Sequence, residues 1–152
     1  MPSPPALDPA GVPERTGTLY PADLGERCKT RGKRAIGNEL GLTHFGVNVV
    51  RMEPGSWSSL RHWHSHEDEF VYVLEGELTL VTDEGEQRLG PGMAAGFPAG
   101  VANGHHLVNR GSVTARYLEV GSRALDDQVD YADVDLHFSR TTMFTHKDGR
   151  PY

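Results

Sequence analysis

Apolar and polar positions alternate with a period of two through most of the chain, and glycine and proline interrupt them every few residues. Phe45, Val47 and Val49 alternate with Gly46, Asn48 and Val50, which predicts a strand over Gly41 to Met52. Glu53-Pro54-Gly55 then forms a turn, and Trp57 to His64 reads as the next strand. A strand from Glu69 puts Glu69, Val71 and Val73 on one face and Phe70, Tyr72 and Leu74 on the other. Both faces are apolar, so both need cover. Glu75-Gly76-Glu77 turns the chain into a returning strand, Leu78 to Thr82, and Asp83 to Glu86 turns it again. Shorter strands follow at Glu86 to Leu89, Met93 to Phe97, His105 to Asn109 and Val113 to Val120, and Ser139 to Thr145 closes the series. On the strand at Val113, Ala115, Tyr117 and Glu119 share a face. No long 3.6-residue periodicity and no internal repeat occurs. The expectation is an all-β sandwich or barrel.

Composition narrows the picture. A length of 152 residues suggests one domain, and a net charge of −6 argues against nucleic acid as a partner. No apolar run approaches the ~20 residues of a membrane span. The start lacks the basic and apolar regions of a signal peptide, so the cytoplasm is the expected compartment. Cys28 is the single cysteine, which rules out an intrachain disulfide and a cysteine-based zinc site. The chain divides into an N-terminal arm (1–40), a barrel core (41–122) and a C-terminal tail (123–152) that packs on the barrel or on a partner. Residues 1–13 carry five prolines and read as a flexible leader. The basic run with Lys29, Arg31, Lys33 and Arg34 reads as solvated surface, with an anion-binding arm as the functional alternative. The five aspartates from Asp126 to Asp135 lack the spacing of a calcium loop and read as a solvated acidic loop.

The candidate chemistry lies in Arg61 to Gly76, RHWHSHEDEFVYVLEG. His62 and His64 are two residues apart. On a strand that spacing sets both imidazoles on one face, roughly 6.6–6.8 Å apart along the chain, able to converge on one ion. On a helix they would point apart. Taken alone, the pair reads better as two exposed strand histidines.

The run resembles the first motif of the cupins, G-x5-H-x-H-x3,4-E-x6-G. His62, His64, Glu69 and Gly76 fit it, with Asp68 as a rival acid that breaks the interval to Gly76. Gly55 lies one residue too far upstream, which a bulge absorbs. Gly92, Pro98 and Gly100 match the second motif, G-x5-P-x-G-x2-H-x3-N. Asn103 stands where its histidine belongs, and His105 with Asn109 completes it after a two-residue insertion; His106 is the alternative. The resemblance covers about residues 55–109. It implies a double-stranded β-helix, the cupin or jelly-roll barrel, with short terminal arms. It also implies a site for one divalent transition metal (Zn, Mn, Fe, Ni or Co) held by His62, His64, Glu69 and His105.

His66 and His44 fall outside the pattern, Asn109 reads as structural, and Tyr72 and Tyr117 as packing residues. Short cupins of this kind resemble sugar-phosphate isomerases, so the expected function is a metal-dependent enzyme on a small oxygen-rich molecule. An Fe(II) dioxygenase and a non-catalytic metal or ligand-binding module are the alternatives. No catalytic base stands out among Glu53, Glu77, His66 and His106, and a phosphate clamp would have to come from the 27–34 arm, Arg51 or Arg61. A homodimer is expected, its second subunit covering the Phe70, Tyr72 and Leu74 row, with the N-terminal or C-terminal arm as the alternative cover.

Overall fold

The computed structural model describes residues 5–152; Pro2 and Pro4 of the proline-rich leader lie outside the described residues. Thirteen short strands form: β1 (Arg15–Thr16), β2 (Gly32–Arg34), β3 (Phe45–Met52), β4 (His62–His64), β5 (Glu69–Glu75), β6 (Leu78–Thr82), β7 (Gly85–Leu89), β8 (Ala94–Phe97), β9 (His106–Val108), β10 (Ala115–Ser122), β11 (Gln128–Tyr131), β12 (His137–Ser139) and β13 (Met143–Thr145). A single α-helical turn, α1 (Ile36–Glu39), joins β2 to β3. All strand pairings are antiparallel. One sheet runs β1-β2-β3-β10-β5-β8, a second β13-β12-β11-β4 and a third β7-β6-β9.

The second and third sheets meet at His62 and His105, which exchange both backbone hydrogen bonds, at 3.2 and 3.0 Å. Seven strands thus face the six-stranded sheet, which is the all-β barrel of two facing sheets that the alternation predicts. The β5–β6 turn shows why its glycine is needed. Gly76 has φ +74°, and a Cβ there would lie 2.9 Å from Ala115. An L side chain rarely adopts that φ, and the abutting strand leaves it no room.

The inward faces follow the period-two reading. Val50, Met52, Val71, Val73, Leu78, Leu80, Leu89, Leu107, Ala115 and Tyr117 form the main core. A smaller cluster of Leu60, Val129, Tyr131 and Leu136 lies beside β4 and takes Tyr20, Leu24 and Phe144 from the terminal segments.

Several boundaries differ from the expected ones. The strand over Trp57 to His64 shrinks to His62–His64, and Trp57 keeps only an isolated bridge to Val108. The serine pair at 58–59 spends its polar groups on loop contacts instead, with Leu107 N–H donating to Ser58 Oγ at 2.9 Å. The acidic stretch is not a solvated loop. Its centre is β11, which pairs with β4 through Val129 and His64. Its aspartates are neutralised individually, Asp127 by His64, Asp133 by Arg61 and Asp135 by His146. The strand expected over Ser139 to Thr145 is a tight hairpin of β12 and β13.

Candidate metal centre and the pocket beside it

The structure brings His62, His64, Glu69 and His105 together. Glu69 opens β5, two residues along the inward face from Val71. His62 and His64 project from β4, and His105 is cross-strand to His62. His64 Nε2 lies 3.1 Å from Glu69 Oε1, His62 Nε2 lies 3.5 Å from the same oxygen, and His105 Nε2 contacts Glu69 Oε2. His105 is 6% exposed, and its ring stacks flat on Phe97 at 3.6 Å. His106, the next residue, points elsewhere. Its Nδ1 bonds the Ser59 carbonyl at 2.8 Å and its ring meets Trp57 edge-on. Burial holds its pKa down.

Each of the three imidazoles turns its other nitrogen outward to an oxygen acceptor. His62 Nδ1 meets the Leu60 carbonyl at 2.8 Å, His64 Nδ1 meets Asp127 Oδ2 at 2.6 Å, and His105 Nδ1 meets the Asn103 carbonyl at 3.1 Å. A carbonyl or carboxylate only accepts, so each Nδ1 carries a proton, and each Nε2 is left to offer either a lone pair to an ion or a proton to Glu69. Three lone pairs and a carboxylate repel unless positive charge lies between them. His62, Glu69 and His105 each offer a ligand atom within 4.8 Å of the others, whereas His64 groups in the same way with Glu67 and Asp127 and joins the first three through its contact with Glu69. The donor set therefore fits a divalent ion that accepts nitrogen and oxygen ligands.

Without an ion, protons fill that role. Burial opposes charge on His64, but the hydrogen bonds and charges of Glu69 and then Asp127 overcome it, and its pKa is pushed up to about 9. Glu69 is held well below its usual value. Its burial works in the opposite direction and is outweighed by the bonds from His105, His62 and His64.

The displaced spacing of the second motif has a physical explanation. Arg61 ties the inserted segment down, with Nη1 donating to the Gly104 carbonyl at 2.8 Å and to Asp83 at 2.6 Å. Its Nε and Nη2 grip Asp133 at 2.9 and 2.8 Å. A Cβ on Gly104 would lie 2.7 Å from Ala132, so only glycine lets this loop carry His105 to the centre. Arg61 is thereby committed to structure. So is Arg51, held by Glu14 at 2.7 Å and by Glu53. Neither is free to clamp a phosphate.

A cavity of about 180 Å³ adjoins the cluster, lined by His62, Glu69 and His105 together with Tyr20, Arg31, Lys33 and Glu119. A second, open cleft of about 560 Å³ shares Tyr20, Arg31 and His62 with it and is mostly apolar, with Val129, Tyr131, Phe138 and Phe144. Of the bases considered from sequence, Glu77 and His66 are more than half exposed, and Glu53 is bound to Arg51. Glu119 was missed. Its alternation with Tyr117 marked it as inward-facing, and an inward carboxylate on an otherwise apolar strand was the available signal. Lys33 Nζ donates to Glu119 Oε1 at 2.8 Å, Asn48 Nδ2 at 3.0 Å, and the Tyr117 hydroxyl reaches Oε2 at 3.3 Å. Burial raises the pKa of Glu119, but Lys33 outweighs it and keeps the carboxylate ionised at neutral pH. Asp127 was missed as well, because it pairs with His64 from 63 residues away and only β11 pairing with β4 brings it near.

The cupin domain family model matches residues 48–121. Among solved structures, a cupin-superfamily sugar phosphate isomerase from Silicibacter pomeroyi DSS-3 is 44% identical over 97% of this chain and 96% of that one, with a TM-score of 0.91. A proposed sugar phosphate isomerase from Acidithiobacillus ferrooxidans ATCC 23270 is 30% identical over 87% and 81%, with a TM-score of 0.73. The polyketide cyclase RemF from Streptomyces resistomycificus is 25% identical over 77% and 78%, with a TM-score of 0.61. No curated protein matches the chain significantly. The chain belongs to the cupin superfamily. Within it, the chain is most closely similar among these three to the two described as sugar phosphate isomerases.

Proposed function

We propose that this cupin is a metal-dependent enzyme acting on a small oxygen-rich molecule, of the sugar or sugar-phosphate isomerase kind. The observation that carries the reading is the convergence of three imidazole Nε2 atoms and Glu69 on the wall of a small polar cavity that also contains an ionised carboxylate, Glu119. His62, His64, Glu69 and His105 would hold one divalent transition metal, which would supply a Lewis acid to polarise a substrate carbonyl. Isomerisation between an aldose and a ketose also moves one proton between adjacent carbons. In this reading Glu119, ionised and lining the same cavity, accepts the proton from one carbon and returns it to the neighbour, while the hydroxyl proton passes between the two substrate oxygens. Lys33, Asn48 and Tyr117 fix its orientation. A cavity of 180 Å³ is well below the ~300 Å³ at which drug-sized ligand sites begin, which suits a short-chain substrate.

The test is metal analysis of protein purified without added metal, then a panel of aldoses, ketoses and their phosphates with that metal. Turnover is expected, and Glu119→Gln is expected to lower kcat at least a hundredfold while bound metal per chain stays constant. Tight metal binding with no turnover across the panel would leave the non-catalytic module.

The apolar cleft that also borders His62 favours a second reading, an Fe(II) dioxygenase whose ligand has an apolar body. Oxygen uptake with iron but not with zinc distinguishes it. We further propose that the protein is a homodimer. Phe70, Tyr72 and Leu74 are 41%, 38% and 46% exposed in one row on β5, one strand in from the sheet edge, and a second copy offers the same row for self-complementary cover. Light scattering at micromolar concentration is expected to give twice the chain mass.

A further inference from the structure

The N-terminal arm, outside the residues that the cupin family model matches, places one cation, Arg31, against the cavity without an ion-pair partner among the described residues, although Glu69 and Glu119 line the same cavity. Its neighbours are all engaged. Lys29 pairs with Glu26, Lys33 with Glu119 and Arg34 with Glu14, while Arg27 lies over the Trp57 ring at 5.7 Å. Arg31 forms no ion pair among the described residues. Its one side-chain bond is from Nη1 to the Ser58 carbonyl. A guanidinium carries five N–H donors in a planar fork, so most of this one's capacity is unspent.

Arg31 is also held in place. Cys28, three residues before it, is fully buried, and Trp57 N–H donates to the Arg27 carbonyl at 2.9 Å. Directly after it, Gly32 enters β2 opposite Arg51 of β3. Tyr20, which shares both cavities with Arg31 and His62, is pinned by the Leu60 N–H at 3.3 Å. The guanidinium is therefore a half-buried positive charge where the two cavities meet, beside the same His62 that faces Glu69. An unpaired cation in a partly desolvated pocket attracts an anion more strongly than one in water, and the fork geometry selects an oxyanion.

We propose that Arg31 binds the phosphate or carboxylate group of a small anionic substrate, anchoring it in the cavity so that its uncharged oxygens reach the His62, His64, Glu69 and His105 cluster. This rests on the proposed function for its second half only, because the anion site itself needs neither metal nor turnover. It makes the arm a working part of the site, and it restricts the substrate class to small molecules with an acidic terminus.

The test titrates inorganic phosphate and, separately, acetate into the full chain by calorimetry, once after metal removal with chelator and once reloaded with zinc. Wild type is expected to bind at least one of the two anions in both forms, and whichever binds more tightly assigns the terminus as phosphate or carboxylate. Arg31→Gln is expected to weaken that binding tenfold or more with bound zinc per chain unchanged, and Lys29→Gln to leave it unchanged. Should Arg31→Gln fail to fold, Arg31→Lys decides, since it keeps the charge and loses the fork; a several-fold weakening is expected. Undiminished anion binding in the folded Arg31 variant, or no binding of either anion by metal-free wild type, would overturn the proposal. A sugar panel without turnover would sink the isomerase reading alone and leave the anion site standing.

Discussion

The two ends of the barrel are built from the same three strands and do opposite things. On the inward faces of β3, β10 and β5, one end presents Met52, Ala115 and Val73, all fully buried. Four residues along, the same faces present Asn48, Glu119 and Glu69. At the closed end these three side chains are apolar, so they are stabilised by removal from water. At the open end, half-buried carboxylates face imidazoles and a lysine. Charges so placed contribute little net stability, because desolvation offsets their attraction. A single sheet thus divides into a half that holds the fold and a half that holds ligand.

The largest expected effect breaks this comparison directly. Leu78 is fully buried at the closed end. Leu78→Ala is expected to cost about 2–5 kcal/mol of stability in urea unfolding, while the folded fraction still binds one metal per chain. Glu69→Gln is expected to do the reverse, losing most bound metal by elemental analysis while remaining folded by circular dichroism. If both variants lost metal and stability in the same proportion, the division between the ends would be wrong.

The sequence showed the closed end more fully than the open one, for a physical reason. Alternation in β3, β5 and β10 identifies which residues point inward, and the glycine and proline turns bound the strands. It also put His62 and His64 on one face through their spacing of two, while Glu69 was marked by the motif intervals that the resemblance supplied. What lies between distant segments was invisible. Asp127 behind His64, and Arg31 and Lys33 at the cavity, arrive by pairing of β11 with β4 and of β2 with β3. Nothing local in a basic run or an aspartate run distinguishes a solvated stretch from one that the fold turns inward. The same holds for Trp57 to His64, where alternation continued through residues that loop contacts take out of the strand.

A smaller contrast sharpens the comparison inside the open end. His105 and His106 are adjacent and both buried, yet one faces Glu69 and the other the Ser59 carbonyl. His105→Ala is expected to lower metal affinity by well over a hundredfold. His106→Ala is expected to leave the metal in place and to cost stability through its lost contact with Trp57. A site emptied by His106→Ala but left full by His105→Ala would show that the inserted loop carries the other histidine inward. Asp127→Asn should fall between them, with a 10–100-fold loss of affinity, because it removes the carboxylate that orients His64 without removing a ligand.

The smallest expected effect is one proton. The metal-free folded protein has its His64 pKa pushed up to about 9, against an ordinary value of 6.5. The imidazolium is thus stabilised by folding. That contribution is fully present below the unfolded pKa near 6.5 and is lost as pH rises through 9, so the metal-free protein should become less stable across that window. Metal requires the neutral ring, so uptake at pH 7 must expel the His64 proton. Calorimetric titration with zinc in two buffers of different ionisation enthalpy is expected to show release of about one proton per metal at pH 7, declining towards none above pH 9. Asp127→Asn removes one of the charges that hold the proton, so its decline should be centred at a lower pH. The hydrophobic end of the barrel has no such group, and Leu78→Ala should leave the proton count where it was. A wild-type count near zero at pH 7 would mean that His64 is already neutral, and that Glu69 and Asp127 do not hold a charge between them before the ion arrives.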